Sequence, residues 1–257
     1  MTLAPVRPAR TRHHAPPART CAWTRAGQWQ LGLDLPWQVR LPGWTPLGDC
    51  GVQVAVRCHS ADPTLRIGGD WHLSMPLPGG DLLLAVGDVG GHGLSAAVEM
   101  LRLRYAMASF ATACADPAAI LCHLNQALCR RGDATATAVA ARFSPGSGEL
   151  AWAQAGHPPV IAASGDRVRP LPSPAGTMLG VIPHARYERA TARLRPGDFI
   201  VLYTDGVFRR RESVDEGIDA MARLAASARF CPPALLDHVD YGAAGDDACV
   251  LVAERVR

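Results

Sequence analysis

The sequence predicts an α+β domain in which helices pack on antiparallel sheets. Two observations carry that prediction. Strand-like and helix-like segments come in blocks, not in the strict alternation of a parallel βαβ sheet. The strand-like segments are short apolar runs bounded by Gly, Pro and Asp, most sharply at GGDW, VGDVGG and TDG. With 257 residues, 48% hydrophobic and 19% charged, the chain is long and apolar enough for one sizeable core.

The elements follow in order. Residues 1–45 form a basic tail, rich in Pro, Arg and Ala, with no acid before Asp34. Such a composition buries too little to fold and reads as disordered. The folded domain is expected over 46–257. VQVAVRC alternates apolar and polar residues like a half-buried strand. GGDWHLSMPLPGG carries turn signals at both ends, and DLLLAVGDV reads as a buried strand. LSAAVEMLRLRYAMASFATACA reads as a long helix with Leu94, Val98, Leu101 and Tyr105 on its apolar face. Tyr105, Met100 and Trp152 are expected in the core. Pro117 starts a second helix that Gly132 closes. TATAVAARFS, ELAWAQAG and PVIAAS are strand-like, with PGSG as a hairpin turn; YERATARL and DFIVLYTDG continue the sheet. VDEGIDAMARLAAS and ALLDHV read as helices, and ACVLVAERV as the last strand. There is no internal repeat.

Composition excludes several functions. All 26 basic residues are arginine. Without lysine there is no Walker A loop, no Schiff base and no kinase-type lysine. A net charge of +3 is too weak for nucleic-acid binding by the folded part. The eight cysteines form no C-x-x-C pair, which argues against a zinc knuckle. Cys249, inside DDACVLV, reads as a small buried hydrophobe. A reduced, cytoplasmic protein is the expectation. No apolar run nears the ~18 residues of a membrane helix, and the N-terminus lacks the apolar core of a secretory signal.

Asp70, Asp88, Asp205 and the Asp246-Asp247 pair share one kind of address: each lies where an apolar strand meets a turn containing glycine. A single aspartate there is ordinary turn chemistry, bonding to nearby backbone N–H groups. Several beside the most apolar strands ask for more. If those strands are neighbours, the carboxylates converge on one sheet edge and repel unless a cation sits among them. Oxygen-only ligands favour Mg²⁺ or Mn²⁺, and two such ions ~3.5–4 Å apart can activate water and clamp a phosphoryl group. The glycines after Asp88 let the backbone turn sharply, and the following helix leaves with its positive end near the site.

GGDW, VGDVGGHGLSAA, AGHPP, LRPGDFIVLYTDGV and GDDACVLV, in this order over roughly 50–257, resemble the SpoIIE/RsbU branch of the metal-dependent type 2C (PPM) serine/threonine phosphatases. The resemblance implies a β-sandwich of two antiparallel sheets flanked by helices, with two Mn²⁺ or Mg²⁺ ions at one end. It places Asp88 as the acid bridging both metals, the Val89 carbonyl as a further ligand, and Asp70 on the second metal. Asp205 and Asp246 fall on the first metal, and Asp247 where the family has a second Asp or an Asn. Asp88 and Asp205 are the catalytic residues on this reading. A metal-activated water would hydrolyse phosphoserine or phosphothreonine in line, with no covalent phosphoenzyme. The implied substrate is a phosphorylated, STAS-type anti-sigma-factor antagonist in a bacterial partner-switching pathway, with an upstream activator protein as a further partner. The alternative is a catalytically weak or inactive PPM-like binding module.

Four positions depart from the family pattern. His72 and Leu73 replace the aromatic and the acid of GGDWYD, Gly90 replaces a common Ser, and Cys249 replaces the Thr of DDMTV. Other chemical-looking residues have plain readings. His92 supports a turn, and His157 sits in a Pro-bounded turn. Arg209, Arg210 and Arg211 form a solvated charge run. Ser95 lacks the G-x-S-x-G elbow of a nucleophile.

Overall fold

The computed structural model describes residues 51–62, 67–132, 134–209, 212–242 and 244–256. The tail expected over 1–45 lies outside the described residues, as do Arg210 and Arg211.

Ten strands form two antiparallel five-stranded sheets. The first holds β1 (Val52–His59), β10 (Ala248–Arg255), β9 (Phe199–Tyr203), β6 (Ile161–Ser164) and β7 (Arg167–Pro170), in that spatial order. The second holds β2 (Trp71–Pro76), β3 (Leu82–Val89), β4 (Ala136–Ser144), β5 (Glu149–Ala155) and β8 (Ala190–Arg193). Helices α1 (Gly93–Ala113) and α2 (Pro117–Arg131) cover the outer face of the second sheet, and α3 (Val214–Ser227) and the one-turn α4 (Leu235–His238) that of the first. The α+β class and the sandwich are as expected.

Three apolar layers result, and strand alternation explains them. Leu82, Leu84 and Val86 of β3 face the other sheet, while Leu83 and Ala85 face α1 and α2. In β10, Cys249 and Leu251 face inward and Val250 and Val252 face α3. Both faces of these strands are buried, so each reads as one continuous apolar run. Pro117 at the first turn and Gly132, at φ 74°, bound α2. Ser213 and Glu216 form a reciprocal cap on α3.

Three expectations are corrected. The buried face of α1 is Ala96, Met100, Leu103, Met107 and Ala111, whereas Leu94 is 65% exposed, Val98 38% and Tyr105 37%. Both stripes repeat at intervals of four, three and four residues, two positions out of phase. Spacing alone cannot choose between them in an Ala-rich helix. YERATARL contributes only Ala190–Arg193, an edge strand paired with β5 alone, and RVRP adds the unanticipated β7. Finally, Cys58 and Cys249 are joined as a disulfide and not left as thiols. The antiparallel register sets them opposite one another, 4.0 Å apart at Cα. Cys249 is fully buried, as its apolar setting requires, and Cys114, Cys122 and Cys129 keep free thiols.

The sandwich has two poles. β3 and β9 end at one, where β2, β4 and β10 begin. At the other lie the turn before β3, the Ser144–Glu149 hairpin turn, and a hydrogen bond from the Val256 N–H to the Gly51 carbonyl, 2.8 Å long.

Candidate metal centre

All the predicted acids stand at the first pole. Asp70 precedes β2 and Asp88 is the penultimate residue of β3, in one sheet; Asp205 follows β9 and Asp246 and Asp247 precede β10, in the other. The convergence therefore comes from the facing ends of two sheets and not from one sheet edge. Three of the acids act on Asp88 electrostatically: Asp205, Asp246 and Asp247. Among the described residues no arginine lies within ion-pair distance of any of the five.

The backbone is shaped around them. The Val89 N–H donates to the Gly69 carbonyl at 3.2 Å, and the Gly90 N–H donates to the Thr135 carbonyl at 2.9 Å. A Cβ at residue 69 would stand 2.6 Å from the Val89 oxygen and 3.2 Å from Asp88 Oδ1, so only glycine lets the two loops close up. Gly91, at φ 104°, then turns the chain into α1.

Thr204, which the sequence pattern did not single out, links Asp70 to β10. It is 1% exposed; its hydroxyl donates to Asp70 Oδ2 at 2.6 Å and accepts the Cys249 N–H at 2.8 Å. A buried threonine just before Asp205, next to an apolar strand, was the available clue. Asp247 accepts the Ala61 N–H at 2.9 Å on one oxygen and the Gly69 N–H at 2.8 Å on the other. Asp246 is exposed and, among the described residues, accepts only the Asp247 N–H, at 2.8 Å. Of the pair, Asp247 ties loops together and Asp246 has free lone pairs.

The charges are uncomfortable. Burial, then the Asp88 charge, pushes Asp70 well above the ordinary carboxylate range. Burial, then Asp205, Asp246 and Asp247, pushes Asp88 up to about 7. Partial burial and Asp246 raise Asp205. Crowded oxygen donors without a counter-cation fit a hard divalent ion.

The other singled-out residues are structural or peripheral. Leu73 is core, 3% exposed beneath α1. His157 is buried, bonded through Nδ1 to Thr137 Oγ1 at 2.9 Å, and held down to about 3 by burial. His92 is exposed at the start of α1 without making a side-chain cap bond. Ser95 lines an open groove of about 430 Å³ with Val89, Leu94, Val98, Glu99 and Arg102.

The family model for Stage II sporulation protein E (SpoIIE) matches residues 78–256. The chain belongs to the SpoIIE family. The matched span takes in Asp88, Asp205 and Asp246 and begins after Asp70, which the structure sets beside Asp88. Phosphoserine phosphatase RsbU of Bacillus subtilis (strain 168) is 32% identical over 127 residues, covering 48% of this chain and 38% of RsbU. The chain thus matches well under half the length of that relative. The solved structure of the RsbU and RsbW domains of Rv1364c from Mycobacterium tuberculosis superposes with a TM-score of 0.70 at 28% identity, over 79% of this chain and 60% of that one. The SiaA-PP2C domain of Pseudomonas aeruginosa has the same fold, with a TM-score of 0.66 at 22% identity over 81% and 87%. The fold of this SpoIIE-family member is that of the type 2C phosphatases.

Proposed function

We propose that the folded unit, residues 46–257, is a metal-dependent protein serine/threonine phosphatase. The observation that carries this reading is the gathering of Asp70, Asp88, Asp205 and Asp246 at one pole, with no arginine in ion-pair distance among the described residues. Asp88 would serve both of two Mn²⁺ or Mg²⁺ ions, with the Val89 carbonyl and Asp70 on one side and Asp205 and Asp246 on the other. When bound, the ions supply an activated water and neutralise the phosphoryl oxygens. The protein's own residues do the positioning. Thr204 holds Asp70, Asp247 ties the Gly69 loop to β10, and Gly69 admits the Val89 carbonyl. The groove beside Val89 offers exposed Leu94 and Val98, with Arg102 on its rim, to the chain flanking a phosphorylated residue.

The substrate we propose is phosphoserine or phosphothreonine on a STAS-type anti-sigma-factor antagonist. The family and the RsbU-like relatives support it. Dephosphorylation would release the antagonist to bind its anti-sigma partner, and an upstream activator protein would set the rate. A cytoplasmic location goes with this pathway; among the described residues no helix is long and apolar enough to cross a membrane.

The test is hydrolysis of p-nitrophenyl phosphate with Mn²⁺, with Mg²⁺ and with EDTA, beside Asp88→Asn, followed by a phosphorylated STAS protein. Metal-dependent turnover lost in the variant supports the phosphatase. Metal binding by calorimetry with no turnover on either substrate would replace it with a binding module.

A further inference from the structure

Cys58, His72 and Cys249 come from β1, β2 and β10, and their donor atoms all lie within 4.8 Å of one another. His72 and Cys249 are two of the positions at which the sequence departs from its family pattern. They meet at one corner of the sandwich, between the edge strands β1 and β2. Cys249 spends both backbone groups on Thr204: its N–H donates at 2.8 Å, and its carbonyl accepts the Thr204 N–H at 3.0 Å. Toward β1 it therefore forms a non-hydrogen-bonded pair, the kind that brings opposite side chains closest. Cys58 is exposed and Cys249 is buried, with the His72 Nδ1 3.4 Å from the Cys58 sulfur.

We infer that Cys58 and Cys249 form a reversible oxidation site, in which the exposed Cys58 meets the oxidant and the buried Cys249 closes the bond. A peroxide gives one oxygen to the Cys58 thiolate, forming a sulfenic acid and releasing hydroxide. The Cys249 thiol then attacks that sulfur; the S–S bond forms and water leaves. A small dithiol returns both sulfurs to thiols and becomes a disulfide itself, two electrons in each direction. The same side chains could hold a soft cation only as free thiolates, and in the structure the two sulfurs are bonded to each other.

The pair is wired to the acidic pole. The Cys249 N–H holds the Thr204 hydroxyl, which holds Asp70, and Asp247 lies two residues before Cys249. Oxidation adds a covalent staple between β1 and β10 beside these bonds, and reduction removes that staple while the strand ladder stays. We expect reduced protein to bind Mn²⁺ at least threefold more weakly; this coupling alone rests on the metal reading above.

The experiment is peptide mapping of the full chain after peroxide, after dithiothreitol and after peroxide again, with free Mn²⁺ followed in parallel by electron paramagnetic resonance. A 58–249 linked peptide should appear, vanish and reappear. Cys58→Ser should abolish it, and Cys249→Thr, the family's own residue, should leave a Cys58 sulfenic acid that dimedone traps. Three results overturn the inference: no linkage at any peroxide level, linkage that excess dithiol cannot open in folded protein, or stoichiometric zinc in the reduced form. A redox-active pair with no change in Mn²⁺ affinity keeps the oxidation site and removes the coupling.

Discussion

The fold treats two sets of acids in opposite ways. Glu99 on α1 is 6% exposed, and Arg102 and Arg131 reach its carboxylate at 3.1 and 3.4 Å. Among the described residues, no arginine stands within ion-pair distance of the aspartates at the pole. The Glu99 carboxylate is neutralised from within the chain. Arg102 lines the groove that reaches Val89, beside Asp88, yet its ion pair is with Glu99. Glu99 gets its counter-ions from the chain, and the metal site proposed above would take its own from solution.

The sharpest way to break this contrast is Asp88→Asn. Turnover of p-nitrophenyl phosphate at saturating Mn²⁺ should fall by roughly 10²–10³-fold or more, with the circular dichroism spectrum unchanged. Retained turnover would mean the cluster is not the reacting centre. Next in size is the response to metal. At 100 times its Kd, Mn²⁺ should stabilise the protein by about 2.7 kcal/mol, a rise in Tm of roughly 5–10 °C that EDTA reverses. Glu99→Ala should cost about 1–2 kcal/mol in urea unfolding, because both arginines are half exposed and can rehydrate. Its Mn²⁺ response should stay as in the wild type; if it is lost, the two sets of acids are not independent.

The contrast also shows in pH. In EDTA the folded state keeps a proton on Asp88 up to about 7, whereas the unfolded chain releases it near 3.8. Over that window the folded state binds more protons, so stability falls as pH rises and levels off above it. Tm measured in EDTA from about pH 4 to 8 should decline and then flatten, less steeply in Asp88→Asn. A flat wild-type profile would show that burial and the neighbouring acids do not hold a proton on Asp88.

The gathering of the acids was readable in the sequence because each acid marks a strand end, and strand ends are what apolar runs and glycines report. Five short blocks in order gave the sandwich and the pole. Thr204 escaped because its role is a contact with Asp70, 134 residues away. The disulfide escaped for the same reason: its cysteines are 191 residues apart and meet only through the register of β1 and β10. The face of α1 was misread on other grounds. Its two stripes share one spacing, and the buried one includes Ala96 and Ala111 while the exposed one includes Leu94 and Tyr105, so side-chain size pointed away from the core.

The bond between Gly51 and Val256 lies at the pole opposite the acids. β1 and β10 run from there to the site for eight residues each, about 26 Å at ~3.3 Å per residue. Whatever pulls on the backbone at either of these residues does so from outside the reach of the reaction. It can act only as a hand acts on a lever, by tilting two strands whose other ends carry Cys58, Cys249 and the Asp246-Asp247 pair.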